Sequence, residues 1–225
     1  MILSRGKPYA DRRDAAERLS ESLAGYEVHH PVVLGIPRGG VVIADAVSRE
    51  LNADLDVVLT RKLGAPGNPE LAIGAVSENG EVFIQHQIAD KVGADEDYIQ
   101  QEKARQLEEI RARRDRYRTV LPKVALEGRS VILVDDGIAT GATMQASVWA
   151  ARAEGASRII VAVPVGSRDA IERLERDADE VVCPHIPEYF YAIGQFFEDF
   201  GQVSDEEVME IFRTHSRKAG KDVGG

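Results

Sequence analysis

A doubly wound α/β fold, with a mainly parallel sheet covered by helices on both faces, is predicted by three features of the chain. Short runs that are apolar throughout alternate with stretches at helical spacing, and a strand with no polar face has to be buried on both sides. Several of these runs end in glycine turns that lead directly into helical patterns, the order of strand, turn and crossover helix. The 225 residues are 44% apolar and 29% charged, ordinary globular usage that supplies one substantial core and a small appendage.

The elements follow in order. Asp11 to Ala24 places Ala15, Ala16, Leu19 and Leu23 on one face, which describes an amphipathic opening helix packed on the edge of the main domain. Val32 to Ile36 is a buried strand ended by Pro37-Arg38-Gly39-Gly40, and Ile43, Val47 and Leu51, four apart, mark the helix behind it. Leu55 to Thr60 is a second strand. Gly64 to Gly80 reads as irregular, and Tyr98 to Arg118 as a charged helix with only Ile99, Leu107, Ile110 and Tyr117 as apolar anchors, so that about 64–122 is an excursion between sheet strands. Val131 to Val134 resumes the sheet, followed by a glycine-rich turn and a helix over Met144 to Ala153. Ile159 to Val163, a helix capped by Ser167 and running through Ile171 and Leu174, and Val181 to Cys183 complete the alternation. Beyond this core, taken as residues 1–183, a lobe over 184–215 gathers Tyr189, Phe190, Tyr191, Phe196, Phe197 and Phe200. Ser204 and Glu207 form a capping box there for a last helix carrying Val208, Ile211 and Phe212, and the tail from about Ser216 to 225 is expected to fray.

Composition removes several function classes. A formal net charge of −10 opposes binding to a nucleic-acid polymer, which needs clustered cations to displace counterions. It leaves small phosphorylated ligands open, because backbone amides at a helix start hold a phosphate without any side-chain charge. Cys183 is the only cysteine, so no internal disulfide and no thiolate metal cluster is available to one chain. The polar, charged segment Met1 to Arg13 does not read as a signal peptide and no apolar run has the length of a membrane span, which together predict a soluble cytoplasmic protein with no membrane partner. The five histidines make no HExxH or comparable metal pattern; His29 and His30 are expected at the surface, and His185 borders the aromatic lobe.

The chemistry is concentrated in Val131-Ile-Leu-Val-Asp-Asp-Gly-Ile-Ala-Thr-Gly-Ala-Thr143, a buried strand that ends in two acids and passes through glycines and hydroxyls into a helix. Ligands of open parallel sheets sit outside the carboxyl ends of the strands, where these residues lie. Gly137 and Gly141 let the backbone turn tightly and approach a ligand, while the amides of the turn and of the helix start point at an anion. Thr140 and Thr143 add hydroxyl donors. Asp135 and Asp136 are placed to accept hydrogen bonds from sugar hydroxyls or to hold Mg²⁺ directly or through water. A phosphorylated sugar satisfies all of these groups.

This stretch resembles the 5-phosphoribosyl 1-pyrophosphate (PRPP) motif of the type I phosphoribosyltransferases, two acids followed by a glycine and threonine loop. The resemblance implies that Gly137, Ile138, Ala139, Thr140, Gly141, Ala142 and Thr143 grip the 5′-phosphate. It also implies that Asp135 and Asp136 meet the ribose hydroxyls and steady the positive charge of the reacting sugar. Pro37, Arg38, Gly39 and Gly40 resemble the family's pyrophosphate loop, with Arg38 adding charge, and Lys62 after the next strand is assigned to the same leaving group. The family has a mobile lid, for which the excursion from Gly64 is the candidate, and a small hood that recognises the acceptor, for which the aromatic lobe is the candidate. Tyr189, Phe190 and Tyr191 are the residues there able to stack a flat base. The implied activity is a Mg²⁺-dependent pentosyltransferase of nucleotide metabolism that moves phosphoribose from PRPP to a nucleobase or other nitrogen nucleophile, with a homo-oligomer as a possible assembly. The segments PRGG, RKLGAPGNPE and VDDGIATGAT together look most like the loosely defined bacterial phosphoribosyltransferase-domain proteins, whose acceptor the family leaves open. Where 6-oxopurine transferases carry an Asp and a Lys in the phosphate loop this chain has Ala139 and Ala142, which makes hypoxanthine and guanine poor candidates. No general base is legible: Glu70 and Glu78 lie in the candidate lid region, and each reads equally as a surface carboxylate. The first rival is a regulator that senses PRPP or a nucleotide on the same fold. A nucleotide hydrolase or kinase ranks lower, since neither GxxxxGK[ST] nor GxSxG is present.

Overall fold

The computed structural model describes residues 8–24, 26, 28 and 30–222, with the backbone alone for 70 and 216–222. The chain opens with α1 (Arg12–Leu23), whose N-cap Asp11 accepts hydrogen bonds from the amides of Arg13 and Asp14, and continues through β1 (Val32–Gly35), α2 (Gly39–Glu50) and β2 (Asp54–Val57). It then leaves the main sheet for β3 (Thr60–Ala65), β4 (Asn68–Ser77), β5 (Val82–Ile84), α3 (His86–Lys91) and α4 (Glu96–Tyr117). The return is β6 (Ser130–Val134), α5 (Ala142–Ala153), β7 (Arg158–Ala162), α6 (Arg168–Leu174) and β8 (Glu180–Val182), followed by a short 3-10 helix at Ile193–Phe196 and α7 (Asp205–Asp222).

The main sheet is parallel throughout in the order β2-β1-β6-β7-β8. Its inner strands β1, β6 and β7 are apolar at successive positions because both faces are covered. Val33, Ile132, Val134 and Ile160 join the core under α1 and α2, while Leu34, Val131, Leu133 and Val161 join the core under α5 and α6. From β1 the chain winds outward to β2, and from β6 it winds the other way through β7 to β8. The boundary between β1 and β6 is therefore the point where the winding reverses, and the two connections leaving it spread apart into a crevice.

The excursion differs from its sequence reading. Thr60 does not extend β2 but opens β3, and the stretch from Gly64 to Gly80, which the sequence presents as irregular, belongs to an antiparallel sheet β3-β4-β5. Periodicity is a weak guide here because both faces of this small sheet are partly covered: Leu63 and Ile73 are fully buried, and Phe83 stacks on Trp149 of α5 with ring centres 5.3 Å apart. The charged helix α4 is fixed at both ends. Tyr98 Oη donates to the Gly64 carbonyl at 2.8 Å, Tyr117 Oη donates to Asp205 at 2.5 Å, and the Tyr117 ring meets Phe212 edge-on.

A buried ionic network closes the excursion onto the sheet. Arg118 donates to Asp56 at 2.6 Å and pairs with Glu78, Lys123 lies 3.3 Å from Glu78 and 2.9 Å from Glu154, and the Val124 amide donates to Asp56 at 2.9 Å. Glu78, a candidate lid carboxylate by sequence, is thus a structural anion, 4% exposed and paired with two cations. The side chain of Glu70 lies outside the described residues.

The lobe after β8 is tied to the N-terminal segment: Tyr9 exchanges backbone hydrogen bonds with Phe196 and Glu198, and its ring lies 5.3 Å from that of Phe197. The capping box forms, with the Ser204 amide donating to Glu207 and the Glu207 amide to Ser204 Oγ. α7 runs to Asp222, past the position at which the sequence predicts fraying; its side chains from 216 onward and residues 223–225 lie outside the described residues. His30 is exposed, and His29 also lies outside them. Among the described residues no helix is long and apolar enough to cross a membrane.

Candidate functional site

Two turns meet at the crevice between β1 and β6. After β1, the Ile36 amide donates to the Val134 carbonyl at 2.9 Å, the peptide between Pro37 and Arg38 is cis, and α2 starts at Gly39. After β6 come Asp135 and Asp136. The two turns touch through glycine: a Cβ on Gly40 would lie 2.6 Å from the Val134 carbonyl oxygen and 2.8 Å from Asp135 Cα, and one on Gly39 would lie 1.9 Å from Asp136 Oδ2. Only residues without side chains let the start of α2 pack against the acids. Sequence-predicted residues ninety-odd positions apart are thereby brought into one site.

The acids are poorly compensated. Asp135 keeps some surface as a residue, yet its carboxyl is enclosed by protein, and burial together with the neighbouring Asp136 charge pushes it well above the ordinary carboxylate range. Burial also raises Asp136, against the opposing pull of Arg12, whose Nε donates to Asp136 Oδ2 at 2.9 Å. Two carboxyl groups share one guanidinium, which leaves this turn short of positive charge. Among the described residues no group of three or more His, Cys, Asp or Glu side chains could hold a metal ion, so these two hard oxygen donors can complete a Mg²⁺ shell only with phosphate oxygens and water. They fit a cation that arrives with its ligand.

Past the acids the loop is built to leave its amides open. Ile138 is pinned by its amide to the Val165 carbonyl and by its carbonyl to the Ser167 amide, both at 2.9 Å. Ser167 Oγ donates to the Ala139 carbonyl at 2.6 Å and Arg173 Nη2 to the Thr140 carbonyl at 2.8 Å, so the carbonyls face the α6 side. Gly141, with φ of +77°, reverses the chain into α5 without a side-chain cap. Among the described hydrogen bonds none takes the amides of Ala139, Thr140, Gly141 or Thr143. Ala139, Thr140 and Thr143 are exposed, and Gly141 and Ala142 are half-exposed. Open amides at an uncapped helix start are an anion cradle.

The remaining predicted residues fall into two groups. Lys62 lies within reach of the first: with Pro37, Arg61, Arg113 and Thr143 it lines a cleft of about 360 Å³ between the β1–α2 turn, α4 and the start of α5. Arg38 lines a second hollow with Arg12, Gly39 and the strap Phe200 to Val203. The aromatic residues separate. Phe190 is half-buried against Phe196, with ring centres 5.3 Å apart, whereas Tyr189 and Tyr191 are 67% and 85% exposed. The lobe residue that reaches the acid turn is Ile193, whose Cγ2 would stand 2.6 Å from a Cβ on Gly137. Gln195 shapes this stretch by accepting from the amides of Tyr191 and Ala192 and donating to the Tyr189 carbonyl. His185 stacks edge-on against Phe196 and burial lowers its basicity. Sequence reasoning missed Arg12, Ile193, Ser167 and Arg173 as parts of the site. Each lies on a different element from the motif, and none carries a local signal beyond helix patterning or capping.

Comparison with known proteins agrees with this geometry. The family model described as "Phosphoribosyl transferase domain" matches residues 2–200. A curated protein of Mycobacterium tuberculosis named "Putative phosphoribosyl transferase" is 42% identical over 210 residues, covering 93% of this chain and 47% of that protein. The chain thus spans about half the length of the curated relatives it matches there. A ribose-phosphate pyrophosphokinase of Sulfolobus acidocaldarius is 30% identical over 139 residues, 62% of this chain and 42% of that one. Among solved structures, the protein TT1426 from Thermus thermophilus superposes with a TM-score of 0.88 at 50% identity, covering 92% of this chain and 98% of that chain.

Proposed function

Since the chain belongs to the phosphoribosyl transferase domain family, we propose that it binds PRPP across the β1–β6 crevice and transfers phosphoribose to a nitrogen nucleophile, with release of pyrophosphate. The observation that carries the reading is the meeting of the two turns: the acids Asp135 and Asp136, which lead into the amide cradle Gly137–Thr143, lie directly against Gly39 and Gly40 of the Pro37–Gly40 turn. In this reading the cradle takes the 5′-phosphate, the acids accept hydrogen bonds from the ribose hydroxyls, and Pro37 to Gly40, with Lys62 on β3, face the pyrophosphate. Bond breaking at the anomeric carbon leaves positive charge on the sugar and negative charge on pyrophosphate. The acids stabilise the first and Arg38 with the turn amides the second. Mg²⁺ carried in with the diphosphate would neutralise that leaving group further.

The acceptor enters from the lobe side, where Ile193 over Gly137 offers an apolar platform, and Tyr189, Phe190 and Tyr191 extend it. A nucleobase is the acceptor class such a surface suits, and the protein acts on soluble metabolites of nucleotide metabolism in the cytoplasm. Calorimetric titration of PRPP with Mg²⁺ into wild type and an Asp135→Asn/Asp136→Asn variant tests the reading, followed by a pyrophosphate-release screen over purine and pyrimidine bases. Binding that the variant loses, with release on one base, supports a transferase and names its acceptor. Binding without release moves the protein to the sensing class, and no binding by wild type overturns the reading.

A further inference from the structure

Arg12 ties the acid turn to segments that the sequence does not connect with it. Its Nε donates to Asp136 Oδ2 at 2.9 Å, its Nη1 donates to the Gly201 carbonyl at 2.7 Å, and its guanidinium lies 4.0 Å over the Phe200 ring. The side chain is 12% exposed. Gly39 also makes room for it, since a Cβ there would fall 3.0 Å from Arg12 Nε as well as onto Asp136. Four segments distant in sequence, namely the first turn of α1, the β1–α2 turn, the acid turn and the strap at Phe200 and Gly201, therefore share one guanidinium.

A planar fork with donors in fixed directions holds a carboxylate in one orientation; a lysine ammonium, with freely rotating donors, does not. Arg12 donates to Oδ2 of Asp136 and so fixes the carboxyl plane from one side. The ring of Phe200 and the Gly201 carbonyl fix the guanidinium in turn, so the strap governs the orientation of Asp136 through Arg12. We propose that Arg12 is a positioning residue: it clamps Asp136 between α1 and the Phe200–Gly201 strap, and through Asp136 it sets the affinity of the site for the ribose part of its ligand. This rests on the PRPP reading of the crevice.

The test separates ribose from pyrophosphate. Calorimetry is run on wild type, Arg12→Lys and Arg12→Ala with three probes: PRPP with Mg²⁺, ribose 5-phosphate, and pyrophosphate with Mg²⁺. Loss of a charge-assisted hydrogen bond predicts that Arg12→Ala weakens PRPP and ribose 5-phosphate alike by about 10- to 100-fold, with pyrophosphate unchanged. Arg12→Lys falls between, and millimolar guanidinium restores part of the loss in Arg12→Ala but not in Arg12→Lys. Phe200→Leu shifts the same two probes by a smaller factor. Equal weakening of all three probes would show a merely structural role, and weakening of pyrophosphate alone would make Arg12 a leaving-group contact; either overturns the proposal, as does no change. If wild type binds none of the probes, the PRPP reading fails on its own. The clamp is then judged by amide exchange, which must rise together at Asp136–Gly137 and Gly201–Val203 in Arg12→Ala, and unchanged exchange refutes it.

Discussion

Among the described residues, two pairs of acids with buried carboxyl groups are treated differently. Asp56 and Glu78, 2% and 4% exposed, face Arg118 and Lys123, with a backbone amide on Asp56. Among the described residues Asp135 and Asp136 have Arg12 as their one cation, with the Asp136 amide donating to Asp135, at the turn that ends β6. The first pair is balanced and fastens the excursion to the sheet. The second is short of positive charge where the sheet reverses its winding, and a site whose compensation is incomplete is one that a charged ligand can complete. Burial alone does not distinguish them, since it pushes Asp56 upward as well, against the opposing pull of Arg118.

Removing a cation from the balanced pair puts this contrast to its severest test. Arg118→Ala strands two buried carboxylates and is expected to cost about 3–5 kcal/mol in denaturant unfolding, with little change in ligand affinity per folded molecule. A loss below about 1 kcal/mol would show that the network is not what holds the excursion. Next is Gly40→Ala, whose methyl would press on the backbone of Val134 and Asp135. It should cost about 1–3 kcal/mol and abolish PRPP binding, while Gly67→Ala, at a site with φ of +71° and no neighbour within 4 Å, costs about 1–2 kcal/mol and leaves binding intact. Lys123→Met removes the more exposed cation and should cost about 1 kcal/mol, visible as a small shift of the urea midpoint.

The smallest effect on stability is expected at the site itself. Asp135→Asn keeps the shape and removes a buried charge, so stability near neutral pH should stay within about 1 kcal/mol of wild type or rise, although binding is lost. The pH dependence carries the sign. Asp135 and Asp136 have folded values above their ordinary 3.8, so the folded protein holds protons the unfolded chain has released, and these groups take stability away as pH rises from the unfolded value through the raised folded ones. Urea midpoints from about pH 4 to about pH 7 should therefore fall less steeply in Asp135→Asn than in wild type. Identical slopes would mean that Asp135 titrates normally.

Whatever local chemistry encodes could be read from the chain alone. Apolar runs marked the five parallel strands to within a few residues, since a strand buried on both faces has to be continuously apolar. Contiguous acids, glycines and hydroxyls marked Asp135 to Thr143, because the turn, the anion cradle and the helix start are made by neighbours in the chain. The Ser167 cap and the Ser204–Glu207 box were legible for the same reason. Features that depend on pairs far apart in sequence emerged only on folding. The β3-β4-β5 sheet draws its stability from α5 behind it and not from its own periodicity. Glu78 reads like a surface acid until Arg118 and Lys123 are folded against it. Arg12 reads like any charged residue on an opening helix until the sheet brings Asp136 to its Nε and the lobe brings Phe200 beneath it. Periodicity, capping and turn chemistry act over a few residues, whereas the compensation of a buried charge depends on whichever segments the fold packs beside it.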